Sequence, residues 1–226
     1  MTEVIESEKN EDQPIPDQLE RFQYFPSSIY RIMKPEFLDI VREVSEEYIN
    51  VVKKDQEIDK IYPLIMSSNL FHDIRLKEFS NYVGGTAYNI LDSQGHYLEG
   101  FEMYFMEMWL QEHHKTSNME QHIHKYGSQI VGFYFTEVPE NSSKVIFYDP
   151  RPGKVQTSLP EKDSNTLSEA NDMINFIPTP GMLMLTNSWL PHSFTRNSSD
   201  DPVKFVHFNL SIKPKDIVAS SPAEII

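Results

Sequence analysis

Cysteine is absent from this chain of 226 residues. Its absence rules out disulfides, thiolate metal ligands and a cysteine nucleophile. Positive charge is scarce: 20 lysines and arginines stand against 34 acidic residues, a formal charge of −14, and the isoelectric point is near 4.9. A protein that neutralises phosphates needs a basic footprint, so nucleic acid is a disfavoured partner. Long hydrophobic runs are missing too. None approaches the roughly 20 residues that span a bilayer, and the opening MTEVIESEKNEDQ is acidic, with no apolar core of the signal-peptide kind. The expectation is a soluble intracellular protein, cytoplasmic or otherwise, with no membrane partner. Repeats, coiled-coil heptads and low-complexity linkers are also lacking.

What is present is aromatic. Apolar residues make up 39% of the chain, with 14 Phe, 11 Tyr and 10 Met, enough for one sizeable core and a composition that leans toward β-structure. Residues 1–20 read as an acidic, flexible tail. Residues 21–95 read as helical and extended elements packed on the core. Within them FQYFPSSIYRI (22–32) is a candidate first strand. PEFLDIVREVSEEYINVVKK carries Phe37, Val41, Val44, Tyr48 and Val51 at helical spacing, with Pro35 suited to a helix start. Residues 56–80 read as a loop and a short helical or irregular stretch. From 96 to 215 the pattern turns to strands: 95–111, 130–138, 143–149, 181–187 and 203–212. A Pro-, Asp- and Ser-rich excursion covers 150–180, placed to cap a mouth and select a substrate. Residues 216–226 read as a C-terminal tail. The simplest plan is N-terminal helices covering a barrel or sandwich of short strands.

QHIHKYGS (121–128) places two histidines one residue apart. In a strand, residues two apart share a face, so His122 and His124 both point into a barrel mouth or both sit at its solvated edge. His192, in SWLPHSF after an apolar run, is the third candidate, its approach stiffened by Pro191. Three neutral imidazoles suit Fe(II), Zn(II), Ni(II) or Cu(II), and spacing alone does not choose. His113 and His114 are adjacent and read as surface residues. His207, between Val206 and Phe208, reads as contacting the covering helices. Asp149, at the end of VIFYD, is either a reserve ligand or supporting partner, or a turn residue paired with Arg151. If Val206 and Phe208 face the interior, so does Lys204, whose ammonium then needs an anion there, such as the carboxylate of a cosubstrate. Tyr134 could add a hydroxyl to the same carboxylate, or be a core aromatic.

In order, HIHKYGSQIVGFYF, VIFYDPR, PTPGMLMLTNSWLPH and VKFVHFNL resemble the iron- and 2-oxoglutarate-dependent oxygenases. The likeness is to the branch with His-x-His, Asp-Pro-Arg and Ser-Trp-Leu-x-His motifs, over roughly residues 100–212. It implies a double-stranded β-helix (a cupin-like jelly roll, mainly β with flanking helices). It also implies Fe(II), with 2-oxoglutarate and O2 as cosubstrates giving succinate and CO2 while a substrate is hydroxylated. By the same resemblance His122, His124 and His192 hold the metal, His124 standing where a carboxylate is usual. Lys204 and Tyr134 receive the distal carboxylate of 2-oxoglutarate. Lys125 replaces the proline after His-x-His, and Lys204 stands where this branch has arginine. The substrate class stays open between a small molecule and a peptide or protein side chain, and a homodimer is compatible with the resemblance. Two other classes remain: a cupin-like metalloenzyme that does not use 2-oxoglutarate, and a non-catalytic binding protein on the same barrel.

Overall fold

The computed structural model describes residues 2–5 and 19–215. In chain order the elements are β1 (Thr2–Ile5), β2 (Leu19–Phe22), β3 (Ile29–Met33), α1 (Leu38–Asp55), β4 (Leu64–Met66), α2 (Lys77–Ser93), β5 (Phe101–His113), β6 (Met119–His122), β7 (Ile130–Glu137), β8 (Val145–Tyr148), α3 (Pro152–Gln156), β9 (Met173–Phe176), β10 (Met182–Asn187), β11 (His192–Phe194) and β12 (Val203–Pro214). A six-stranded sheet runs β3-β10-β7-β12-β5-β4 and a four-stranded sheet β6-β11-β8-β9, every pairing antiparallel. Two such sheets with α1 and α2 against the larger one make the expected double-stranded β-helix with flanking helices.

The N-terminal expectations hold in part. The strand predicted over 22–32 splits into the end of β2 and the later β3. Residues 2–5, read as tail, pair with Leu19–Phe22; residues 6–18 and the tail 216–226 lie outside the described residues. The predicted helix is a 3-10 turn at Pro35–Phe37 running into α1, which buries Val41, Val44 and Ile49. Val51 is exposed, and Val52 continues the stripe. The 17 residues of α2 are the larger surprise, with Phe79, Val83, Ala87, Ile90 and Leu91 buried. Gly84 and Gly85 interrupt its pattern, which obscures the helix in the sequence.

Two apolar cores result. One lies between the helices and the outer face of the large sheet, built from Val41, Phe79 and Val83 against Tyr134, Val206, Phe208 and Leu210. The other lies between the sheets, built from Phe133, Phe135, Phe147, Phe194 and Phe205. Strands β7 and β12 therefore bury both faces. Where they pair, Gly132 lies under Phe208, and a Cβ there would sit 2.2 Å from Phe208 Cε2 and 2.9 Å from Met184 O. Only glycine lets the ring lie so close to the strand.

Candidate metal centre

Strand β6 ends at His122, and β11 begins at His192 directly across from it. His124, two residues beyond His122 and past the end of β6, is fixed by its backbone N–H donating to Ser188 O at 3.0 Å. The sequence thus delivers three imidazoles to one spot from a strand end, the turn after it and the neighbouring strand. One ring nitrogen from each lies within 4.8 Å of the other two, and His124 Nε2 and His192 Nε2 are 3.2 Å apart. The opposite nitrogens are held: His122 Nδ1 contacts Glu120 O at 2.7 Å and His192 Nδ1 contacts Leu190 O at 2.9 Å. A carbonyl accepts only from N–H, so each ring is fixed as the Nδ1–H tautomer with Nε2 bare toward its neighbours. Burial, then the neighbouring His122, pushes the His124 pKa down to about 4. Burial pushes His192 to about 3, against the Leu190 carbonyl. Both are neutral at ordinary pH, the state that binds a metal. The donor set fits a divalent cation of borderline hardness such as Fe(II).

The remaining candidates do not join this group. Asp149 Oδ1 accepts from the backbone N–H and Nε of Arg151, both at 2.9 Å, and Oδ2 accepts from its guanidinium at 2.7 Å. Arg151 holds the carboxyl below its usual range. Asp149 supports the turn after β8 and lines a groove of about 560 Å³, with Phe25, Arg151, Lys154, Asp172 and Leu190. Residues from the 150–180 excursion thus border this groove.

Lys204 and Tyr134 need the clearest correction. Val206 and Phe208 are interior, but to the helix-covered core and not to the barrel, and Lys204 follows them. Its ammonium lies 2.5 Å from Glu46 on α1, 3.3 Å from Glu137 and 3.7 Å from Glu112. Burial disfavours its charge, but Glu46, Glu137 and Glu112 outweigh that and raise its pKa. Tyr134 packs on Phe79 and donates its hydroxyl to Lys34 O at 2.7 Å. Neither side chain faces the histidines, which differs from the expected placement of both beside the metal site.

The inner face of β12 instead carries Phe205, His207 and Asn209. His207, read from sequence as a helix contact, sits 4.9 Å ring to ring from His124, 5.3 Å from Phe133 and 4.8 Å from Trp109. Its pKa is pushed well down by burial and by the neighbouring histidines. His113, read as a surface residue, is fully buried and lies against Phe194 and Phe205 at 5.5 and 5.0 Å. Phe133, Phe194 and Phe205 pack between it and His192. A pocket of about 300 Å³ opens beside His124, lined by Met106, Glu107, Trp109, Lys125 and Asn209 among others. The signal for His207 was its place three residues beyond Lys204: opposite parity puts it on the other face.

A protein-family model described as "Putative 2OG-Fe(II) oxygenase" matches residues 107–209. The fold is that of the 2-oxoglutarate–iron(II) oxygenases. A prolyl-4-hydroxylase from Pseudomonas putida superposes with a TM-score of 0.54 at 9% identity, over 82% of this chain and 92% of that one. The non-haem α-ketoglutarate-dependent carbocyclase SnoK from nogalamycin biosynthesis gives 0.57 at 10%, over 86% and 85%. AviO1 from Streptomyces viridochromogenes gives 0.56 at 9%, over 82% and 90%. No curated protein matches the sequence at a significant level. At such identities the likeness carries the fold and no single reaction, as a hydroxylase and a carbocyclase side by side make plain.

Proposed function

We propose that this chain is a non-haem Fe(II) oxygenase whose metal is held by His122, His124 and His192, with 2-oxoglutarate and O2 as cosubstrates and hydroxylation as its reaction. The observation that carries it is the convergence of three imidazole nitrogens, two of them bared by backbone carbonyls that hold the opposite nitrogen of their rings. Bound iron would supply a Lewis-acidic centre at which O2 is reduced. The chain's own part is to hold three neutral donors in place and to bind the substrate. Phe133 and Phe147 pack on His192, at 5.4 and 6.0 Å, and keep water from that side. With three neutral ligands the metal keeps its full double charge, which favours an anionic cosubstrate.

A second reading is favoured by Lys204 and Tyr134 facing the helices: a metalloenzyme on this barrel that does not use 2-oxoglutarate. Anaerobic titration with Fe(II) and then 2-oxoglutarate separates the two. A visible metal-to-ligand charge-transfer band and iron-dependent succinate formation are expected for the first. A fully metallated protein showing neither would leave the second standing. The substrate is a small molecule or an accessible side chain of a peptide. Among the described residues no helix is long and apolar enough to cross a membrane.

A further inference from the structure

The groove of about 560 Å³ has the edge of the inter-sheet core for its floor. Ile29, Phe147, Ile174 and Leu190 line it, and all four belong to that core or pack on it. Two of them touch a histidine of the metal centre. Phe147 lies 6.0 Å ring to ring from His192, and Leu190 O contacts His192 Nδ1 at 2.9 Å. A molecule seated on this floor is one side chain away from His192. One wall is aromatic. Phe22, Tyr24 and Phe25 line the groove and are 57, 72 and 91% exposed. Phe22 and Tyr24 stand 6.4 Å apart with their ring planes 22° from parallel. Phe25 has φ +59°, a backbone state that bulky residues rarely adopt and that clusters at ligand clamps. Exposed rings gathered beside a concavity mark a surface that covers a ligand.

The other wall is charged, and its charges satisfy one another. Arg21 pairs with Glu169, Arg151 with Asp149 and Lys154 with Asp172. The uncharged polar groups are committed too. Gln23 donates its amide to Glu169 at 3.0 Å, and Asn171 Oδ1 accepts from the Ser168 N–H at 2.6 Å. Lys154 also ties down Ala170 O and Asn171 O, at 2.8 and 2.9 Å. The chemistry of the occupant follows. A charged ligand would displace one of these partners or lie unpaired against the apolar floor, which is costly. The amides of a peptide would meet polar groups already bonded to each other. A neutral ring system asks for neither, and rings pack on rings in offset or edge-on geometry. The volume is that of a small-molecule site.

We infer that this groove takes a neutral, ring-bearing small molecule as the substrate of the metal centre, its ring held against Tyr24 and Phe25. The inference rests on the oxygenase reading above, which is what makes the occupant a substrate. Its test reads binding and not turnover. The protein would be titrated, by fluorine NMR at neutral pH, with a fluorinated naphthol and with the naphthoate and naphthylmethylammonium of the same ring. The naphthol is expected to bind about tenfold more tightly than either ion, since each ion must lose water without gaining a partner. Changing both exposed rings, Tyr24→Ser with Phe25→Ser, should cut naphthol affinity about fivefold while the protein melts with the parent and keeps its metal. On the metallated protein, paramagnetic Co(II) in place of Zn(II) should broaden the signal of the bound naphthol. Equal affinities, a preference for either ion, no binding of any probe, an unaltered affinity in the double variant, or a bound signal indifferent to Co(II) would overturn the inference. Naphthol preference in a protein that retains no metal would remove the oxygenase reading and keep the ring site. Metal and 2-oxoglutarate binding without that preference would do the reverse.

Discussion

A histidine becomes a metal ligand when something else decides where its proton sits. Glu120 O and Leu190 O do that for His122 and His192, and both are backbone atoms, so the tautomers are written into the strand geometry. His122→Ala should therefore reduce metal affinity by at least hundredfold with little change in stability, because its ring is only half-buried. Equilibrium dialysis with metal quantified on the protein reads this, and retention of one equivalent by the variant would remove His122 from the set. His113 gives a residue-scale prediction of another kind. Burial pushes its pKa down to about 3, from an ordinary value near 6.5. Between those values the unfolded chain takes up a proton that the folded chain refuses, so stability falls as pH falls through that window, by at most about 1.4 kcal/mol per pH unit for one such group. His113→Phe should flatten the loss between pH 6 and pH 4 in urea unfolding. Parallel slopes for variant and parent would show that His113 does not titrate this way. The sequence hid this residue because adjacent histidines at a strand end look solvated. Only the neighbouring strands put Phe194 and Phe205 around one of them.

At the scale of elements, β12 explains why the three clustered histidines were legible and the orientation of Lys204 was not. Period-2 alternation says which residues share a face, and it correctly groups Lys204 with Val206 and Phe208. It identifies the face only when one side is polar. β12 buries an apolar face toward α1 and α2 and another toward the smaller sheet, so both phases read as interior. His122, His124 and His192 escaped that ambiguity because they lie at strand ends and rims, where an imidazole has few other reasons to face inward. The role that follows for Lys204 is structural. With Lys53, 2.5 Å from Glu112, it neutralises a buried carboxylate and ties α1 to the sheet. Lys204→Met keeps the stem and removes the charge, leaving Glu112 with Lys53 and the His114 ring. A loss of about 1–3 kcal/mol in urea unfolding is expected, with metal affinity unchanged. A Lys204→Met protein as stable as the parent but impaired in 2-oxoglutarate binding would restore the cosubstrate role.

Across the whole molecule, two cores carry the fold and the metal centre sits at the edge of one of them. The inter-sheet core reaches the histidines through Phe133, Phe147 and Leu190, and the helix-covered core lies on the other face of the large sheet. Small metal domains that unfold on chelation have no such cores, and their binding energy is their folding energy. Here the metal should act as an ordinary ligand of the folded state, adding RT ln(1 + [M]/Kd), which is about 2.7 kcal/mol when free metal stands at 100 times Kd. For a chain of this length that corresponds to a rise in Tm of roughly 5–10 °C. Chelation should reverse the rise, leave the far-ultraviolet circular dichroism unchanged, and have no effect on His122→Ala, whose Tm should not respond to metal. If chelation instead collapsed the dichroism, the metal would be a structural keystone. If added metal moved the parent and His122→Ala equally, it would be binding somewhere other than at the three histidines.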